Sequence, residues 1–136
     1  MSIEVREMKL SDVDEVLELL KSTFNSYLNV KKEHLIDSFN SKDLFPYVAI
    51  YNGEIIGTAS LIVYKRLSNG RTAVIEDVVI KEGRHGMGFG KIIVNVLISN
   101  ALKLGCFKIY AECMKEKIKF YEKCGFSEKG IIVKKY

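Results

Sequence analysis

Apolar and polar residues alternate at the start of the chain. Ile3 and Val5 point one way and Glu4 and Arg6 the other, which predicts a strand over residues 2–8. The period then lengthens to that of a helix: Val13, Val16, Leu17, Leu20 and Phe24 share one face, and Ser11 with Asp14 reads as a variant capping box at its start. Residues 30–39 read as a short second helix, with Leu35, Ile36 and Phe39 on its apolar side and Lys31, Lys32 and Asp37 on its polar side. His34 is a surface residue there, because no second histidine or cysteine is near enough in sequence to share a ligand. Residues 47–51 and 54–65 are strands joined by Asn52-Gly53, a strong hairpin signal, and the apolar stretch 58–63 predicts burial on both faces. Ser68-Asn69-Gly70 turns the chain into a strand over 73–80. A glycine-rich stretch, 83–90, leads into a helix with Ile93, Val96, Leu97, Ala101 and Leu104 on one face and Gly105 just past its end. A strand over 106–113, a helix over 115–123 closed by Gly125, and a last strand over 131–133 complete the order.

This order, β-α-α-β-β-β-α-β-α-β, predicts an α/β fold: a mixed, mostly antiparallel sheet flanked by helices, with one crossover helix. The 136 residues form one domain, 1–136. An apolar share of 48% beside 28% charged residues excludes disorder as the main state. The net charge of +4 is mild. It comes without the basic stripe and interleaved aromatics of a nucleic-acid binder, so no nucleic-acid partner is expected. The lysines thicken over 115–135, either as solvated faces or to meet a partner that carries phosphates, such as an anionic cofactor. Glu4, Arg6 and Glu7 stand where a signal peptide needs an apolar core, and no apolar run reaches membrane length. A cytoplasmic chain with no membrane partner and with reduced thiols is the expectation. Cys106, Cys113 and Cys124 then read as small core residues. Two histidines and no CxxC pair predict no metal site.

Candidate chemistry concentrates in Arg84-His85-Gly86-Met87-Gly88-Phe89-Gly90-Lys91. Alternate glycines between a strand and a helix let backbone approach a ligand closely, and the free N–H groups of a helix start favour a phosphate or pyrophosphate. A P-loop ending at Gly90-Lys91 is excluded, because His85 stands where its first glycine belongs and Ile92 where its Ser or Thr belongs. A dinucleotide fingerprint from Gly86 is excluded by Lys91 at the third glycine position.

His85 to Gly90 resembles the Q/R-x-x-G-x-G/A motif of the GNAT superfamily of N-acetyltransferases, with His85 in place of Gln or Arg and Arg84 beside it. The resemblance extends over most of the element order and is most specific over 75–130. It implies a GNAT-like domain in which His85, Gly86, Met87, Gly88, Phe89, Gly90 and Lys91 bind the pyrophosphate of acetyl-CoA, a cosubstrate used without a metal. Val78 and Val79 would offer backbone groups to the pantetheine arm. Within that family, Ile75-Glu76-Asp77-Val78-Val79-Ile80, Gly105-Cys106-Phe107-Lys108-Ile109 and Phe120-Tyr121 through Gly125-Phe126 are similar to members that acetylate glucosamine 6-phosphate. Those members are expected to carry an arginine near the C-terminus, where this chain ends Lys134-Lys135-Tyr136.

The chemistry implied is direct transfer of an acetyl group to a small-molecule primary amine. Tyr121 donates to the leaving thiolate, or else is a core tyrosine beside Phe120. Glu76 and Asp77 lie on opposite faces of a regular strand, so one of them faces the cleft to hold or deprotonate the amine; edge or interface charges are the alternative. Glu112 is either a further acceptor-binding carboxylate or a surface one. A homodimer that completes the acceptor site is consistent with the resemblance. The competing class is a non-catalytic CoA- or nucleotide-binding module, and a protein or polyamine amine is the competing acceptor.

Overall fold

The computed structural model describes residues 2–23, 29–68 and 70–136; Phe24 of the first helix and Asn69 of the second turn lie outside that set. Asn52 and Gly53 adopt φ of 52° and 76°, both positive, as a type I′ turn requires. They join β2 (Leu44–Tyr51) to β3 (Glu54–Arg66). β1 (Glu4–Glu7) pairs antiparallel with β2, and β4 (Gly70–Ile80) antiparallel with β3. After α3 (Phe89–Lys103), β5 (Lys108–Ala111) returns parallel to β4, so five strands stand in sequence order across one sheet. A parallel return needs a crossover, and α3 is that crossover. Gly105, at φ 84°, ends it. The Cys106 N–H donates to the Ala101 carbonyl and the Gly105 N–H to the Leu102 carbonyl, the two bonds of a Schellman motif.

The sheet separates two cores. On one face, Tyr47, Ala49, Ile56, Leu61 and Ile75 pack with Ile93, Val94 and Leu97 of α3. On the other, Val48, Ile55 and Val79 pack with Val13, Val16 and Leu20 of α1 (Val13–Thr23) and with Leu35 of α2 (Lys32–Asp37). Each fully buried side chain of this size contributes roughly 1.5–3 kcal/mol. In β3, Ile55, Ile56, Thr58, Ala59, Leu61 and Val63 are all buried, so both of its faces are covered as its apolar run predicts.

β4 changes face within its own length. Ser60 pairs with Glu76 and Thr58 with Val79, so Ala59 alone stands opposite Asp77 and Val78. The extra residue makes a β-bulge, at which Asp77 takes a φ of 53°. Ile75 consequently lies in the α3-side core, whereas Val79, an even number of residues on, lies in the α1-side core.

Four local expectations are corrected. The cap before α1 is built by Asp12, not by Ser11 and Asp14: the Asp12 carboxylate accepts the Lys9 N–H at 2.7 Å, and a 3-10 turn, Leu10–Asp12, precedes the helix. Of the apolar side of α2 only Leu35 is buried, while Ile36 and Phe39 are exposed, because α2 is short and meets the sheet through one side chain. Cys106 is a core residue, but Cys113 is exposed and Cys124 half-buried. Residues 131–133 form no strand: Ile131 and Val133 are 94% and 90% exposed, and no sheet edge receives them.

Asp12 also receives both guanidinium nitrogens of Arg6, at 2.7 and 3.1 Å. These bonds, above all the one to Arg6, hold its carboxyl below the usual carboxylate value, although burial opposes them. The stability they contribute is therefore complete above the ordinary value of 3.8 and is lost as pH falls below it through the depressed one. Asp12→Asn keeps the shape but loses the charge; we expect a loss of about 1–3 kcal/mol, with a weaker acid dependence of stability than wild type in urea titrations taken at falling pH.

Candidate active site

β4 and β5 pair only from Thr72–Lys108 to Ile75–Ala111. Beyond that point β4 bulges at Asp77 and β5 has ended, so the two parallel strands part. The gap is a cleft of about 790 Å³, within the size range of small-molecule sites. Asp77, Val78 and Ile80 line it from β4; Glu112, Cys113 and Met114 line it from the segment after β5. The glycine loop and the start of α3 form a third side, and Phe120 and Tyr121 of α4 (Ile118–Lys123) a fourth.

The glycines of the loop divide into two kinds. Gly86 and Gly88 both hold φ of 80°, and a Cβ at either would meet no heavy atom within 4 Å. They are required for the backbone path, and the space beside them is open to a ligand. Gly90 is different: a Cβ there would lie 3.0 Å from the Phe120 ring, so its role is close packing of α3 on α4. Gly88 is the N-cap of α3, and the first N–H bonded within the helix is that of Ile92. The N–H groups of the preceding turn have no carbonyl behind them and carry the positive end of the helix dipole.

Tyr121 is seated by the end of its own helix. Gly125, at φ 95°, and Phe126 donate to the carbonyls of Glu122 and Tyr121, a second Schellman motif. The turn folds Phe126 back onto Tyr121, with ring centroids 5.5 Å apart, while Phe120 packs edge-on from the other side at 5.0 Å. This is the physical content of the F-Y-x-x-x-G-F pattern. Burial, with smaller contributions from Cys113 and Cys124, pushes the Tyr121 phenol up to about 12. It therefore remains protonated and able to donate at any working pH.

Charge in the cleft is divided by element. Arg84 and Lys91 come from the loop and the start of α3, Lys117 and Lys123 from the two ends of α4 with Glu116 just before it, whereas Asp77 lines the cleft from the β4 bulge and Glu112 from just past the end of β5. Glu76 is half-buried and does not line the cleft, yet its carboxyl is pushed up by burial and then by Asp77 and Glu112. Glu76 thus lies within electrostatic reach of both carboxylates that line the cleft. Lys134 reaches back to Glu112 at 3.0 Å through an exposed ion pair.

The site residues read from the sequence mostly converge. Asp77, Val78, His85, Gly86, Gly88, Phe89, Gly90, Lys91, Glu112 and Tyr121 line one cleft. Met87 is exposed outside the lining, and Val79 is turned by the bulge into the α1-side core. Ile80, Cys113, Met114, Glu116, Lys117 and Lys123 line it without having been singled out. The lysines among them carried a signal, in the basic thickening after residue 115; Cys113 and Met114 carried none, because their exposure depends on where β5 stops. Among the described residues, no three His, Cys, Asp or Glu side chains are grouped to hold a metal ion, and no helix is long and apolar enough to cross a membrane.

A mixed sheet parted at a bulge, with phosphate-ready backbone on one side and a phenol and carboxylates on the others, has the form of an N-acetyltransferase. The model of the Acetyltransferase (GNAT) family matches residues 13–126, and the chain belongs to that family. It is similar to the glucosamine 6-phosphate N-acetyltransferase of Candida albicans, 30% identical over 135 residues that span 93% of this chain and 90% of that protein. The enzyme of the same name from Arabidopsis thaliana is 39% identical over 87 residues, 62% of this chain and 58% of that protein. The crystal structure of glucosamine-6-phosphate N-acetyltransferase from Arabidopsis thaliana superposes with a TM-score of 0.84 at 29% identity, covering 100% of this chain and 99% of that one.

Proposed function

We propose that the chain transfers the acetyl group of acetyl-CoA directly to the amine of a phosphorylated amino sugar, glucosamine 6-phosphate. The observation that carries the reading is the meeting in one cleft of open Gly86–Gly88 backbone, the Tyr121 phenol and the Asp77–Glu112 pair. The residues fit the donor: the space beside the two glycines and the orphan N–H groups of α3 suit a pyrophosphate, and Arg84, Lys91, Lys117 and Lys123 supply countercharge. Acetyl-CoA supplies a thioester whose carbonyl accepts the amine and whose thiolate leaves.

The protein's part is positioning and charge. Asp77 and Glu112 hold the acceptor ammonium between the parted strands. Glu76, with its raised proton affinity, takes the proton that the nitrogen loses, through a bridging water. Tyr121 donates a hydrogen bond to the departing sulfur. Full transfer of its proton is uphill, because a phenol at about 12 is a weaker acid than a thiol near ~8.5; the phenol stabilises the thiolate. A cysteine relay is disfavoured, since both thiols are pushed up, that of Cys124 by burial and that of the exposed Cys113 by partial desolvation and the nearby Glu128. Lys134, whose ion pair with Glu112 is exposed, and Lys135 meet the sugar phosphate in this reading. As lysines they offer point charges where an arginine offers a fork.

Thiol release from acetyl-CoA, followed with glucosamine 6-phosphate, glucosamine, a polyamine and a lysine peptide in turn, tests the reading. Turnover with the sugar phosphate and intersecting initial-rate lines are expected. CoA binding without turnover for any amine would make the chain a binding module, and parallel lines would mean an acetyl-enzyme.

A further inference from the structure

The loop that follows β4 has little stiffness of its own. Gly83, Gly86 and Gly88 all sit at positive φ, 85°, 80° and 80°, and glycine is the residue that loses most freedom on ordering. Three of its positions are nevertheless tied to the β2–β3 hairpin, outside the cleft. Lys81 donates its N–H to the Ile56 carbonyl at 2.7 Å and its ammonium to Glu54 at 2.9 Å. Arg84 pairs with the other oxygen of Glu54 at 3.6 Å, and its guanidinium lies 5.4 Å over the Tyr51 ring. Tyr51 in turn packs on Phe89, the first residue of α3, with ring centroids 4.9 Å apart. Arg84 lines the cleft; Glu54 and Tyr51 do not.

We propose that Glu54 is a positioning residue for the donor: from the hairpin it fixes the Arg84 guanidinium against Tyr51 and so holds the glycine loop in the form that receives the pyrophosphate. The proposal rests on the reading that this loop binds acetyl-CoA. Stability is not what the contact is for, because Glu54, Lys81 and Arg84 are all more than a third exposed and surface pairs of this kind contribute little. Its value is geometric. Tyr51 supports one face of the planar guanidinium and Glu54 one edge, which leaves the remaining N–H groups directed at a phosphate. Arg84 thereby does the work expected of the motif's first position, where this chain has His85.

Charge alone predicts the opposite sign to positioning, and this separates them. Removing a carboxylate beside an anion site strengthens anion binding if Glu54 acts only through its field. If it acts through Arg84, Glu54→Gln weakens acetyl-CoA binding by about tenfold, a change of about 1.4 kcal/mol. Calorimetric titration of acetyl-CoA into the wild-type, Glu54→Gln, Arg84→Gln and doubly substituted chains reads this directly. The second substitution is expected to add nothing once Arg84 is gone, and in Glu54→Gln the efficiency with S-acetylpantetheine, a donor without the phosphates, is expected to stay at the wild-type level. Glu54→Asp keeps the charge and shortens the reach, so it should weaken acetyl-CoA binding too. Equal or tighter binding by Glu54→Gln, or an additive double substitution, overturns the proposal; a wild-type chain that does not bind acetyl-CoA overturns the underlying reading as well.

Discussion

Tyr121→Phe is expected to lower kcat by ~10–100-fold, the loss of one hydrogen bond of ~1.5–3 kcal/mol to the charged thiolate, while the apparent KM for acetyl-CoA stays nearly unchanged. The variant keeps the ring, and with it the edge contacts to Phe120 and Phe126 and the turn through Gly125 that seats it. Only the hydroxyl is lost, so folding and donor binding have no reason to change. A phenol at about 12 does not titrate in the working range. The rate profiles of wild type and variant should therefore run parallel from about pH 6 to about pH 10, offset by the lost hydrogen bond. Wild-type turnover in Tyr121→Phe would assign the residue to packing alone.

A larger effect is expected at Gly88, where two substitutions separate strain from charge. Its φ of 80° costs any side chain about 1–2 kcal/mol, but a Cβ meets nothing within 4 Å. Gly88→Ala therefore measures strain, and a loss of acetyl-CoA affinity of no more than about tenfold is expected. Gly88→Glu carries the same strain and brings a carboxylate to the pyrophosphate. Like charges about 4 Å apart repel by ~4 kcal/mol at the effective dielectric of a protein surface, so a loss beyond ~100-fold is expected by calorimetry. Equal losses in the two variants would mean that no phosphate lies beside Gly88.

Signals that act over a few residues were legible. Asn52-Gly53 specifies its turn whatever surrounds it, and the glycines after α3 and α4 end those helices where their spacing says. The loop glycines were found as a group, though not their division of labour: Gly90 faces Phe120, far off in sequence, and only packing reveals it. What depends on pairing was hidden. The bulge at Asp77 arises because β3 offers one residue where β4 offers two, and it decides that Asp77 enters the cleft, that Glu76 stays half-buried and that Val79 faces the other core. The apolar run 131–133 has the composition of a strand, but among the described residues neither edge strand, β1 or β5, pairs with it. The part Asp12 plays is hidden in the local sequence because its partner Arg6 lies on a neighbouring strand, not in its own helix.

The central claim is that the parted strands receive an amine whose other end bears a phosphate. The specificity constants kcat/KM for glucosamine 6-phosphate and for unphosphorylated glucosamine, measured side by side at saturating acetyl-CoA, test it most directly. The account predicts that the phosphorylated sugar is preferred by about 100-fold or more, equivalent to about 2.7 kcal/mol of binding to Lys134, Lys135 and their neighbours. Equal constants, or a preference for the unphosphorylated sugar, would contradict it.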